Sequence, residues 1–218
     1  MSRAARTVPA GTGTAPSTAS RAPAALRESR RPAILRAAME LFAEKGYPAT
    51  TMEDIGRAVD LRGPSLYKHV SSKQELLAEI MTTTMSRLRA EQRAAVASTD
   101  DVREQLRRVV EAHVRYHARH RVEAFLGNHE LRSLDEGNRT VLLAQRKEYE
   151  RCVRGLVERG VAEGRFTVRS VKLAVFALLD MGTGLAVWFR EGGEFSVDEV
   201  AYRYGDMAMV LVGAVAGP

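Results

Sequence analysis

At 218 residues, 45% of them hydrophobic and 28% charged, the chain is large enough for one sizeable domain or two small ones and has the balance of an ordinary soluble globular protein. Its apolar residues never form an unbroken run of about 18, which argues against a membrane span, and the single cysteine, Cys152, excludes an intramolecular disulfide and fits a reducing cytoplasm. The formal net charge is +6, and residues 1–73 hold twelve cations against six acids, so the whole excess sits in the first third and points to a polyanionic partner.

Residues 1–25 are rich in Ala, Thr, Ser, Pro and Gly, with three arginines and no acid. Such a stretch cannot bury enough surface to order itself and is predicted to be a disordered basic arm, with no apolar segment of the kind a secretory signal needs. A first helix is expected from Ser29 to Lys45, with Ile34, Leu35, Ala38, Leu41 and Phe42 on one face and Gly46 ending it. A second opens at Thr51, where Asp54 three residues on makes a capping box, and its apolar positions Met52, Ile55 and Val59 recur at helical spacing. Asp60 falls where the chain must turn, and aspartate tolerates a left-handed backbone better than most residues. Pro64 then suits the first turn of a short helix expected from Pro64 to Val70. That helix buries Leu66 and Val70 and displays Arg62, Ser65, Tyr67, Lys68 and His69, the donors, cations and aromatic that a DNA groove reader needs. A long helix follows from a Ser72/Glu75 capping box to about Ala97.

From Asp100 onward the pattern is helical throughout. Helices are expected from the Asp100/Asp101 cap through His113, Tyr116, His117 and His120; over a short segment Arg121 to Leu134; over Glu136 to Glu163; from Ser170 to Arg190; and from Ser196 to about Val215. No strand signal or internal repeat occurs. The fold class is all-α with about nine helices: a basic arm (1–25), a three-helix helix-turn-helix head (26–74) and a larger helical body (75–218). No Gly-rich phosphate loop, nucleophile elbow, HExxH or paired cysteine is present, so no catalytic residues and no enzyme are expected.

Ile34 to Leu77, ILRAAMELFAEKGYPATTMEDIGRAVDLRGPSLYKHVSSKQELL, resembles the DNA-binding domain of the TetR family of bacterial transcriptional regulators, with its LFAEKGY, ATT, SLY-x-H and SK elements in order. Asp60 replaces the usual turn glycine and Val70 the usual phenylalanine. The resemblance implies a cytoplasmic homodimer that binds a pseudo-palindromic double-stranded operator and is released by a small-molecule effector, without a bound cofactor. It implies DNA contacts from Thr50, Thr51, Arg62, Gly63, Pro64, Ser65, Tyr67, Lys68, His69 and Lys73. Packing for Tyr67 and a solvated surface role for His69 stay open. Repression is the family's usual sign, and activation remains an alternative.

In the body, polar residues interrupt apolar stripes, and His113, His117, His129, Arg132, Arg146 and Tyr149, with the aromatic Phe125, are the candidate ligand residues. Cations beside an aromatic and apolar surface suit a lipophilic anion such as an acyl-CoA, and Asn128 to Arg139 resembles family members that control fatty-acid or sterol breakdown through CoA thioesters. A metal-responsive alternative pairs His113 and His117 on zinc with His129 or Glu130, and a satisfied set of core histidines is a third reading. For a dimer interface the sequence offers Leu185, Trp188 and Phe189 with a small-residue stripe, Ala201, Gly205, Ala208 and Val212, beside Tyr204 and Leu211. The same stripe equally suits an intramolecular core.

Overall fold

A computed structural model describes residues 30–215, and among these residues every regular element is helical. The basic arm expected over residues 1–25 lies outside the described residues. α1 (Arg31–Lys45) carries Pro32 in its first turn and ends at Gly46, whose φ of +82° would strain any residue with a Cβ. α2 (Met52–Ala58) starts on a complete capping box: the Thr51 hydroxyl accepts from the Asp54 N–H and the Asp54 carboxylate accepts from the Thr51 N–H. Asp60 takes up the left-handed turn with φ +53°. α3 is Gly63–Leu66, shorter than the expected Pro64–Val70, because the His69 N–H bonds Leu66 O at 2.9 Å and tightens the chain into a turn. Ile34, Phe42, Ile55, Leu66 and Val70 close the core of these three helices against Leu76 and Leu77 of α4 (Lys73–Ala97).

The remaining helices build the body: α5 (Val102–Arg119), α6 (Arg121–His129), a 3₁₀ turn (Leu131–Ser133), α7 (Glu136–Ala162), α8 (Val171–Thr183), α9 (Leu185–Trp188) and α10 (Val197–Leu211). Ser72, Asp101, Asp135, Ser170 and Ser196 cap their helices through side-chain oxygens. At Ser72 the box is not reciprocal: Glu75 turns to Ser71 and Arg31 instead. The helix expected from Ser170 to Arg190 breaks at Gly184. Just before the break, Leu179 O accepts from the Thr183 hydroxyl (2.9 Å) and the His113 ring (3.1 Å), two side chains drawing on one carbonyl of the ladder. Val171–Trp188 is apolar enough by length and composition to span a bilayer, with a mean hydropathy of 1.6 over 18 residues despite Lys172 and Asp180. In the fold this stretch is divided by the break at Gly184 and buries Ala174, Val175, Leu178 and Leu185 against α5, α7 and α10.

One apolar cluster runs without interruption from the head through α4 to Tyr116, Leu126, Leu142 and Tyr149, so α4 is shared by both parts of the molecule. A second joins α5, α7 and α8 to α10. The small-residue stripe belongs to this second cluster and corrects the expected interface. Ala201, Gly205, Ala208 and Val212 are buried inside the protomer, and so are Leu185 and Phe189. A Cβ on Gly205 would lie 3.0 Å from the Glu111 carboxylate, which shows that the stripe lets α10 approach α5. Tyr204 and Leu211 are half-buried beside it. Of the expected interface residues only Trp188 is exposed, and it shares the outer surface of α8–α10 with Leu173, Phe176, Val187, Tyr202, Met207 and Val210.

Candidate functional site

The head presents Arg62, Gly63, Pro64, Tyr67 and Lys68 to solvent, with Ser65 and His69 half-buried. Arg62 caps α3 by backbone alone, leaving its guanidinium out of the cap. Tyr67, 55% exposed, stands at the end of α3 next to the buried Leu66, and a Cβ on Gly63 would meet nothing within 4 Å. These side chains form an open polar surface with the cations and donors that reading DNA requires.

Two expected DNA contacts are spoken for within the protein. Thr50 is 1% exposed, and its hydroxyl donates to Leu41 O and Gly46 O, so it ties α1 to the following loop. The Lys73 ammonium donates to Tyr47 O and Thr50 O, each at 2.7 Å, and lies 4.3 Å from the Tyr47 ring centre. It clamps the loop before α2 rather than standing free at a phosphate. Thr51 is exposed, but its hydroxyl serves the capping box, and hydrogen bonds from Thr51 hold the Asp54 carboxyl below the usual carboxylate range. A contribution of the sequence's Arg31 came to light only in the fold. It donates to His69 O and pairs with Glu75 (2.5 Å) and Glu79, fastening the end of the reading segment to α1 and α4. Ser71 and Arg31 hold the Glu75 carboxyl down to about 2.

In the body a cavity of about 410 Å³ opens between α4, α5, α6, α7 and α8. His113, His117, Arg146 and Tyr149 line it, as the sequence suggested. Phe125, His129 and Arg132 do not: Phe125 and His129 stack on each other at the surface, ring centres 4.1 Å apart, and Arg132 is exposed in the 3₁₀ turn. The apolar lining comes from Met81, Met85, Leu88, Leu142 and Leu179. Periodicity marks these as inward faces, but it does not distinguish a cavity wall from a packed core.

The buried polar wall is ordered by one hydrogen-bond chain. Leu179 O can only accept, so His113 Nε2 (3.1 Å) carries the proton and Nδ1 is the lone pair that receives the Tyr149 hydroxyl at 2.9 Å. Both His113 nitrogens are therefore used, which removes it as a zinc ligand, and no group of three or more metal-binding side chains occurs among the described residues. Burial lowers His113 to about 4; burial, then His113 and Arg146, lower His117 to about 2, so both rings are neutral near pH 7. Gly182 permits this arrangement, since a Cβ there would sit 2.1 Å from the His113 ring. Burial also lowers Arg146, whose guanidinium donates to a neutral carbonyl, Gly127 O.

Cavity and head are joined through the α6–α7 connection. Glu130 accepts from the Tyr47 N–H at 3.3 Å and from the Ser133 hydroxyl at 2.6 Å. Gln74, in the first turn of α4, donates to Ser133 O and accepts from the Asp135 N–H at 3.1 Å. The helices on either side of this connection, α6 and α7, supply Ala124, Gly127, Leu142 and Arg146 to the cavity.

Residues 34–80 match the family described as bacterial regulatory proteins, tetR family, and residues 99–212 match the tetracyclin repressor-like C-terminal domain. The HTH-type transcriptional repressor KstR2 of Rhodococcus jostii is 33% identical over 86% of this chain and 92% of its own length. Among solved structures, the ketosteroid transcriptional regulator KstR2 of Mycobacterium tuberculosis superposes with a TM-score of 0.78 at 27% identity, over 86% of this chain and 96% of that one. AibR, solved with isovaleryl coenzyme A and operator DNA, shares the fold with a TM-score of 0.75 at 24% identity, over 85% of this chain and all of its own. With an open basic reading surface on a helix-turn-helix head, a helical body enclosing a cavity, and matches over both, the chain belongs to the TetR family of bacterial DNA-binding transcriptional regulators.

Proposed function

We propose that the chain acts as a homodimeric repressor that binds a pseudo-palindromic operator and is released when a lipophilic anion, an acyl-CoA or related thioester, enters the cavity. The observation that carries the effector class is Arg146. It is a half-buried cation in a mostly apolar wall, bonded to a carbonyl rather than a carboxylate, and an entering anion would supply the missing opposite charge. The repressing sign and the lipid-like class agree with the KstR2 relatives. Residues 26–74 serve as the reading head and residues 75–218 as the effector and dimer body.

Two heads related by a twofold read half-sites about 34 Å apart, and the twofold is assigned to the exposed apolar surface of α8, α9 and α10. That surface includes Val210 at 81% and Val187 at 66% exposure and is the kind of patch a dimer covers. The effector acts by preferring the state in which the heads are wrongly spaced; a swing from 1:99 to 99:1 requires a preference of about 5.5 kcal/mol. Native mass spectrometry of the purified protein should show a dimer with a co-purified CoA thioester, and adding that thioester should dissociate the chain from its own promoter. A specificity ratio near one over random DNA, at stated salt, would remove the repressor reading. V210E should shift the dimer mass to monomer; an unchanged dimer would place the twofold elsewhere.

A further inference from the structure

The cavity wall contains one side chain with a buried polar atom that the protein leaves unsatisfied. His117 is 7% exposed, lines the cavity, and its Nδ1 is shut away from solvent with no hydrogen-bond partner. The buried polar groups around it are engaged, and the remaining polar lining residues, Asn128, Lys147 and Asp180, are exposed. His113 and Tyr149 are committed to each other and to Leu179 O, the Thr183 hydroxyl donates to Leu179 O, and the Thr84 hydroxyl donates to Ile80 O. The Tyr116 hydroxyl donates to Thr84 O. On the acidic side, Glu123 accepts from His120, and Glu150 pairs with Arg154. His117 packs only by its faces and edges, 4.4 Å from the His113 ring centre and 6.1 Å from that of Tyr116.

A buried imidazole nitrogen without a partner is costly and is retained where a ligand or ordered water completes it. A neutral imidazole offers one N–H and one lone pair, and its two edges are nearly isosteric, so either nitrogen can face the cavity after a half-turn of the ring. A metal does not fit, because the adjacent His113 has no free nitrogen. A second anion is disfavoured by a neutral ring that Arg146 and His113 help to keep uncharged.

We propose that His117 is a specificity residue for the effector, and that the effector's apolar portion carries a neutral oxygen function, a ketone or hydroxyl, which hydrogen bonds to this ring. This deepens the reading of the cavity as an effector site, but it depends only on the apolar portion of the ligand and not on a CoA group. An unsubstituted hydrocarbon chain would offer the ring no partner and leave the nitrogen bare, whereas an oxo- or hydroxy-substituted one would supply the missing bond.

The test uses the full-length protein and titration calorimetry with octanoyl-CoA and its 5-oxo and 7-oxo analogues, alongside the corresponding free acids. At least one oxo probe should bind about tenfold more tightly than the saturated probe. H117F should erase that preference by binding the saturated chain better and the oxo chain worse, whereas H117Q, which keeps a hydrogen-bonding group, should retain most of it. Circular dichroism and thermal melting establish that both variants are folded. Equal binding of saturated and oxo probes to the unmodified protein, survival of the preference in H117F, or no binding of any probe would overturn the proposal. A preference seen with the free acids while the CoA thioesters fail to bind would instead overturn the CoA reading and leave the role of His117 standing.

Discussion

The head and the body use their polar side chains in opposite ways. In the head the candidate DNA contacts face outward: Arg62, Tyr67 and Lys68 are exposed, and the fold beneath them is fixed by caps, a tight turn and the Arg31 and Lys73 clamps. In the body they face inward: His113, His117 and Tyr149 are buried around a cavity, burial keeps both histidines neutral, and one backbone carbonyl sets the tautomer of His113. The difference suits the partners proposed for each. A DNA duplex is read by a convex surface that can be assembled locally, whereas a small apolar molecule must be enclosed by walls drawn from distant parts of the chain.

The sharpest way to separate the two regions is Tyr67→Ala, which should reduce operator affinity by about 100-fold, since each protomer loses one groove-flanking contact of roughly 1–3 kcal/mol. Helical signal and effector binding should remain. Tight operator binding by Y67A in a mobility-shift assay would assign Tyr67 to packing.

A matched pair of glycines breaks the comparison from both sides. A Cβ on Gly56 would lie 2.6 Å from Leu61 O, inside the helix-turn-helix turn, and one on Gly182 would lie 2.1 Å from the His113 ring. Each alanine variant should cost about 1–3 kcal/mol in overpacking, but with different losses. G56A should impair operator binding and spare effector binding, and G182A should do the reverse by breaking the chain from Leu179 through His113 to Tyr149. Identical phenotypes in calorimetry and mobility-shift assays would mean that head and body do not fold as separable local structures.

Acid should act on the body first. His113 and His117 have folded values of about 4 and about 2 against an ordinary 6.5. Between pH 6.5 and 4 the unfolded chain therefore binds protons that the folded chain does not, and stability falls as pH falls through that window. At pH 7 both rings are mostly neutral in either state, so little is lost there. At pH 5 the loss is at most about 2 kcal/mol for each histidine, and H117F should show a smaller drop in melting temperature between pH 7 and pH 5. An equal drop would place the acid sensitivity outside this pair.

The smallest effect should come from the connection between the regions. Q74A removes the bonds to Ser133 O and the Asp135 N–H. It should leave effector affinity and basal operator affinity within a few-fold while weakening effector-driven release by about 1 kcal/mol of coupling. Unchanged release would send the signal through α4 packing alone.

Much of the head was legible because its determinants lie within a few residues of one another. Thr51 and Asp54 make a capping box by spacing, Asp60 takes the left-handed turn expected of it, and Gly46 ends α1. The same locality revealed the caps at Ser72, Asp101, Ser170 and Ser196 and most helix bounds in the body. What failed was the assignment of side chains that could face either way. Thr50 and Lys73 look like phosphate contacts, but their hydrogens go to carbonyls of the chain's own loop. The small residues of α10 look like an interface between protomers, but they admit α5 of the same protomer.

The sequence by itself determined an all-helical chain with a reading head, since helical periodicity, caps and turn residues act over four residues or fewer and need no knowledge of the rest of the fold. Only the tertiary structure decided which polar residues share the cavity, which apolar face stays outside, and that His117 alone among the cavity's rings lacks a partner for a buried nitrogen. Those facts depend on contacts between α5 and helices 30 to 100 residues away, and a pattern read along one helix records that it has an inward face but not what the face meets.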